Sequence, residues 1–253
     1  MGEGNAELAS GVMVGVVVGA LAVAAWSVFL EPAGTAPAAT AVSSARVASF
    51  GDEVVSDDVR ALAQWIAKTH DAGGAPFVVI DKRRARVHVF DASAHLEASS
   101  PILLGSARGD DTVPGIGERP LAEVRPEERT TPAGRFVGER GHNARNEDVV
   151  WVDYDSGVSM HRVLTTNAKE RRLERLATPS IEDNRISYGC INVPVAFFET
   201  RLAPLFATRD APIYVLPEVR TMAQVFGWQD ASGEVPSSST TLAHAAASRA
   251  ARP

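Results

Sequence analysis

The 253-residue chain is predicted to be mainly β, a sandwich or barrel with a few short helices, preceded by one N-terminal transmembrane helix. Three observations predict this. From Ala75 onward, apolar residues come in short runs or alternate with period two, as half-buried strands require. Gly- and Pro-rich turns such as Val113-Pro114-Gly115 and Thr131-Pro132-Ala133-Gly134 separate those runs, leaving little room for helix. Val12 to Leu30 carries no charge, and as a helix it would span roughly 28 Å, close to a bilayer's hydrocarbon thickness.

In chain order, 1–11 is a short tail containing Glu3 and Glu7 but no Lys or Arg, so the positive-inside rule gives no orientation. Segment 12–30 is the spanning run, with Trp26 near the interface and Glu31-Pro32 ending it. Ala36-Pro37-Ala38 fits a signal-cleavage pattern, so an uncleaved anchor and a cleaved signal both stand; the length of the run favours the anchor. Residues 31–50, rich in Ala, Ser, Thr and Pro with the single charge Arg46 after Glu31, form a linker. Residues 51–75 are a short helical segment. Ser56 is its N-cap, Asp57 and Asp58 occupy the first turn, and Val59, Leu62 and Ile66 make its apolar face before Gly73-Gly74 stops it.

The β domain occupies 76–220. Phe77 to Ile80 and Arg86 to Phe90 form a hairpin across the polar connection Lys82 to Ala85. Ile102–Leu104, Phe136–Val137, Val149–Val152 and Ile213–Leu216 are further strands. The main exception is Asn167 to Leu176, a helix with an Asn167/Glu170 capping box and Pro179 beyond its end. A tail, 221–253, drifts after Val225 into Ser, Ala and Thr and is expected to be disordered.

Composition removes several function classes. A formal charge of -6 argues against a nucleic-acid partner, because phosphate binding wants a basic face. One cysteine permits no internal disulfide and cannot build a structural zinc site. The histidines lack ligand spacing, and Gly115-Ile116-Gly117 lacks the rest of a dinucleotide fingerprint, so no metal or cofactor is implied.

The one thiol, Cys190, stands in Ile186-Ser187-Tyr188-Gly189-Cys190-Ile191-Asn192. A free cysteine is only a few per cent thiolate at neutral pH, so a nucleophilic role needs a base or a positive environment. Among the histidines, His161 is best placed, at the end of the strand-like Gly157-Val158-Ser159-Met160. His88 in a strand and His95 in a turn read as structural or solvated; His70 and His244 lie in the front helix and the tail. Taken alone, Cys190 could equally be an inert small hydrophobe.

Three groups of residues carry a resemblance. They are the hairpin Val79 to Phe90, the turn Thr131-Pro132-Ala133-Gly134-Arg135-Phe136, and Met160-His161 followed by Ser187-x-Gly189-Cys190-Ile191-Asn192. Over roughly Pro76 to Leu216 the chain resembles the catalytic domain of the L,D-transpeptidases, the YkuD-like enzymes of the bacterial cell wall. The resemblance implies a YkuD-like fold in which Cys190 attacks a peptidoglycan stem peptide and His161 is the base. It implies an oxyanion hole from the backbone N–H groups of Tyr188, Gly189 and Cys190, with Ser187, Asn192 and Tyr188 in support. Ser187 and Asn192 read equally well as ordinary turn residues. The resemblance also implies β-lactams, carbapenems above all, as inhibitors, and a periplasmic location with the inner membrane reached through 12–30. Transfer to an amine, hydrolysis on the same scaffold and a silent wall-binding module remain distinct outcomes.

The sequence departs from the family pattern in two places. Tyr188 stands where histidine is usual, and the segment between His161 and Cys190 is longer, with Arg162 where a small residue is common. That segment reads either as a solvated, ion-paired helix or as a lid whose arginines grip substrate carboxylates. Arg162, Arg171, Arg172 and Arg185 are the candidates for substrate binding.

Overall fold

The computed structural model describes residues 46–228. The segment 12–30 expected to span a membrane, the tail 1–11, most of the linker and the expected C-terminal tail from 229 onward lie outside the described residues. Among the described residues no helix is long and apolar enough to cross a membrane. The end of the expected linker joins the fold. Ala48 and Phe50 are buried, and Ser49 pairs with His95 through Ser49 N–H to Ala94 O (3.1 Å) and Leu96 N–H to Ser49 O (2.8 Å).

Helix α1 (Asp57–Thr69) begins as its sequence dictates: the Ser56 hydroxyl accepts the Val59 N–H at 3.3 Å, with Asp57 and Asp58 beside it. It ends at His70, which turns left-handed at φ 58°, ahead of the expected Gly73-Gly74 stop. Among the described residues ten strands follow: β1 (Phe77–Asp81), β2 (Arg86–Phe90), β3 (Leu96–Pro101), β4 (Leu104–Gly105), β5 (Gly134–His142), β6 (Asp148–Asp153), β7 (Val158–Arg162), β8 (Arg185–Ser187), β9 (Ile191–Val193) and β10 (Ala211–Val215). Eight make one sheet in the order β3-β2-β1-β10-β5-β6-β7-β9, while β4 pairs with β8. The β1–β10 and β7–β9 pairings are parallel. Just after β3, Leu103 exchanges both backbone hydrogen bonds with Asn192 of β9, at 2.8 and 2.9 Å. That bridge nearly closes the sheet into a barrel.

The barrel interior is filled by Val78 and Ile80, Val87 and Val89, Met160, Ile191, Ile213 and Val215. The opposite face of β1, β2 and β10, carrying Phe77, Val79, Phe90 and Tyr214, packs on Val59, Leu62 and Ile66 of α1. Strand β1 is therefore buried on both faces, which is why Phe77 to Ile80 reads as a continuous apolar run while β5 alternates.

Three expectations need correcting. Lys82, read as part of a polar surface connection, is fully buried. Its ammonium donates to Gly109 O (2.6 Å), Asp110 Oδ1 (2.8 Å) and Thr131 O (2.9 Å), because a buried charge persists only with partners. The helix expected over Asn167 to Leu176 is broken. A single tight turn, Ala168–Glu170, precedes Arg171 at φ 48°, and α2 spans Arg172–Ala177. Asn167 accepts the Lys169 N–H at 3.2 Å, so the expected Asn167/Glu170 capping box is not formed. The tail expected from 221 opens with a helix, Met222–Phe226, whose capping box joins Thr221 and Gln224. Met222, Phe226 and Trp228 pack on the α1 cluster.

Candidate active site

Parallel pairing of β7 with β9 sets Met160 opposite Ile191 and His161 opposite Asn192. Met160 and Ile191 point into the barrel core. Successive side chains of a strand alternate, so Ser159 and His161 share the other face with Cys190 and Asn192. Two short strands thus bring together groups that lie far apart in sequence.

The turn before β9 is fixed from three sides. The Ser187 hydroxyl donates to Cys190 O at 2.6 Å and accepts the Gly189 N–H at 3.1 Å. The Thr131 hydroxyl donates to Gly189 O at 2.8 Å and accepts the Gly105 N–H at 3.0 Å. Gly189 itself sits at φ 134°, and a Cβ there would lie 2.8 Å from Thr130 O. No other residue fits that close approach.

His161 shares that face with Cys190, and each acts on the other's ionisation. His161 Nδ1 lies 2.7 Å from Arg162 O. A carbonyl only accepts, so Nδ1 carries the proton and Nε2 is left with the lone pair for the thiol. Cys190 is half-buried. Burial opposes its ionisation, yet the hydrogen bond and charge of His161 and the N–H and hydroxyl of Ser159 outweigh it, and its pKa is lowered. For His161, burial and the positive charge of Arg172 act downward. The hydrogen bond and charge of Cys190 and the Arg162 carbonyl outweigh them, and its pKa is raised. Both shifts favour thiolate beside imidazolium. Ser159 Oγ lies 3.7 Å from the sulfur and Gly157 O 3.6 Å.

The expected supporting residues fall here. Asn192, fully buried, donates to Cys190 O at 3.4 Å and accepts a hydrogen bond from Arg172. Tyr188 is 39% exposed at the rim, and the Arg129 guanidinium lies 4.1 Å from its ring centroid. The Gly189 N–H, one of the expected oxyanion-hole donors, is engaged with the Ser187 hydroxyl.

The four candidate arginines separate. Arg185 is buried elsewhere, joined to Glu218 at 2.6 Å and to Lys82 O at 2.9 Å. Arg162 pairs with Asp148 and Glu199 and covers the Phe198 ring, so its charge is spent internally. Arg171 is exposed beside Glu174. Arg172 alone reaches the Cys190 turn, and with Arg171 it lines a cavity of about 240 Å³. A second cavity, about 290 Å³, is lined by Glu147, Asp148, His161, Arg162 and Leu164. Among the described residues no cluster of His, Cys, Asp and Glu is placed to hold a metal.

Sequence reasoning missed Ser159, although the period-two rule applied back from His161 would have found it. It missed the link from Thr131 to Gly189, for which no local signal exists.

No family model matches the chain, and no curated protein matches it. Solved structures do match. They include L,D-transpeptidase LdtMt1 in complex with imipenem (17% identity, TM-score 0.33, 56% of this chain and 59% of that one). An L,D-transpeptidase from Mycobacterium smegmatis matches at 14% identity and TM-score 0.34 over 56% and 58%. The helical cell shape determining protein Pgp2 from Campylobacter jejuni matches at 12% and 0.39 over 62% and 55%. The chain spans less than two thirds of the length of each. The solved structures to which this chain is similar are, by name, L,D-transpeptidases and a cell-shape protein.

Proposed function

We propose that this chain is a cysteine-dependent L,D-transpeptidase acting on peptidoglycan stem peptides. The observation that carries the reading is the β7–β9 pairing, which sets His161 on the same face as Cys190; the lowered pKa of the thiol and the raised pKa of the imidazole agree with a nucleophile and its proton partner. The Thr131-Pro-x-Gly and Ser187-x-Gly-Cys motifs support it, because they are the residues that hold the Cys190 turn.

In this reading Cys190 Sγ attacks the carbonyl that precedes a terminal D-alanine. The Tyr188 and Cys190 N–H groups steady the developing oxyanion. As the tetrahedral intermediate collapses, the C–N bond breaks, His161 hands a proton to the leaving amine, and a thioester remains. An amine of a second stem, giving up its proton to His161, then displaces the thiol and forms a new amide. Water in place of that amine would make the enzyme an L,D-carboxypeptidase. Carbapenems would acylate the same sulfur. We place the domain in the bacterial periplasm, held at the inner membrane by 12–30, because stem peptides lie there and the charge-free run suits an anchor.

Incubation with defined tetrapeptide muropeptides tests this. Dimers formed by the wild type and not by Cys190→Ser support transfer, and tripeptides alone mean hydrolysis. Identical behaviour of the two proteins overturns the enzyme reading and leaves a silent wall-binding module.

A further inference from the structure

The extra segment between His161 and Cys190 touches the face that carries Cys190 and Asn192 through Arg172. Leu176 docks it beside Leu103, Val163 and Ile186. Arg175 staples it internally, donating to Glu170 O at 2.8 Å and Asp183 O at 3.0 Å. This fixed platform delivers Arg172, whose side chain is 13% exposed, to the catalytic face. One guanidinium nitrogen donates to Asn192 Oδ1 and another to Glu170 Oε2. Asn192 in turn donates to Cys190 O, so the contact chain runs from Arg172 through Asn192 to the nucleophile's own backbone.

Resting on the reading of Cys190 and His161 as a reacting pair, we propose that Arg172 is a positioning residue: it holds Asn192 against the Cys190 carbonyl and keeps a fixed positive charge beside His161. The surroundings of His161 leave this role to Arg172. From β7, Arg162 is tied to Asp148 and Glu199. From β6 and the loop before it, Asp148 is shared by Arg140 and Arg162, and Glu147 lines the cavity it has in common with His161. From the turn before β9 comes Cys190 itself. Asn192, which Arg172 grips, stands opposite His161 across the β7–β9 pair, so Arg172 brings its charge toward the imidazole, where it acts downward, against the imidazolium. The device therefore limits how firmly the imidazolium is held. An imidazole that must return its proton to a leaving amine needs such a limit.

The test is an NMR titration of the His161 imidazole in the full-length chain, its signal assigned by loss in His161→Gln. Arg172→Met, which keeps the stem and removes the charge, should move the titration to higher pH. Arg172→Lys should restore most of the wild-type position, because it keeps a cation there. Glu170→Gln frees Arg172 of its counter-charge and should move the titration the opposite way, to lower pH. A titration unmoved in Arg172→Met overturns the proposal. Equal movement in Met and Lys variants also overturns it, since packing rather than charge would be the cause. Should Arg172→Met not fold, an unmoved or upward titration in Glu170→Gln decides against it. None of these readings uses a cell-wall substrate, so they stand apart from any failure of the muropeptide assay.

Discussion

The Thr131 hydroxyl donates to the carbonyl of Gly189 at 2.8 Å, joining the turn that opens β5 to the turn that presents the thiol. The same oxygen accepts the Gly105 N–H at 3.0 Å, so one buried side chain satisfies two backbone groups, one in β4 and one in the turn before β9. Thr131→Val keeps the shape and strands both. Unfolding in urea should show a loss of about 1–3 kcal/mol, the usual penalty for buried polar groups left unpaired. Alkylation of Cys190 should slow as the turn loosens, and an unchanged rate would separate the turn from the thiol's reactivity.

Gly189→Ala places a methyl 2.8 Å from Thr130 O at a φ of 134°. Strain of this kind costs on the order of 1–3 kcal/mol for the backbone alone. A lowered melting temperature, with the thiol displaced from His161, is the expected result. A variant as stable as the wild type would mean that the turn gives way easily.

His161→Gln removes the hydrogen bond and charge that lower the Cys190 pKa, while burial, which raises it, remains. The sign follows directly: the thiol titrates at higher pH and less thiolate is present at pH 7. The rate of reaction with iodoacetamide at neutral pH should fall by on the order of tenfold for each unit of that rise. Since Cys190 is the chain's one cysteine, the rate reports this site alone. A profile of rate against pH that matches the wild type would remove His161 as the partner.

Acid should weaken the fold in two stages. Burial, and behind it the charge of Arg86, holds the His88 pKa down to about 4 from an ordinary 6.5. The unfolded chain therefore takes up a proton that the folded chain refuses, and stability falls as pH drops from 6.5 toward 4. For Asp110, burial acts upward, but hydrogen bonds from Lys82 and from the Arg220 and Glu218 N–H groups outweigh it and lower its pKa from 3.8 to about 2. Its contribution is complete above pH 3.8 and is lost on the way down to about 2. Urea unfolding of His88→Gln across this range should lose the first stage and keep the second.

Lys82→Met should be severe. The ammonium has three acceptors and sits 3.7 Å from Glu218, with Asp110 and Glu218 nearly inaccessible. Removing one partner of a buried ion pair costs about 3–5 kcal/mol, because the surviving charge has no water to turn to. Chemical denaturation measures this, and a loss below 1 kcal/mol would show that the cluster rearranges.

Local features of the fold were legible because local rules produce them. Ser56, Asp57 and Asp58 start α1 by capping, and Val87 and Val89 alternate with His88 and Phe90 because one β2 face meets the barrel core. β3 was missed, since Leu96-Glu97-Ala98-Ser99-Ser100-Pro101 has too little apolar alternation to announce a strand. Strands β8 and β9, each only three residues, are too short for their alternation to announce a strand. Arg171 broke a helix that spacing predicted, because anchoring Leu176 and turning Arg172 toward Asn192 outweighed weak helical preference.

By itself the sequence determined the β class and the α1 cap, and it offered Cys190 and His161 as candidates. Tertiary structure alone decided that Arg172, not Arg162 or Arg185, reaches the thiol's turn, that Lys82 is interior, and that Thr131 holds Gly189. The physical reason is range. Caps and alternation arise from neighbours within a turn or a strand. A buried charge or a fixed turn depends on residues dozens of positions away, which only strand register and burial bring into contact.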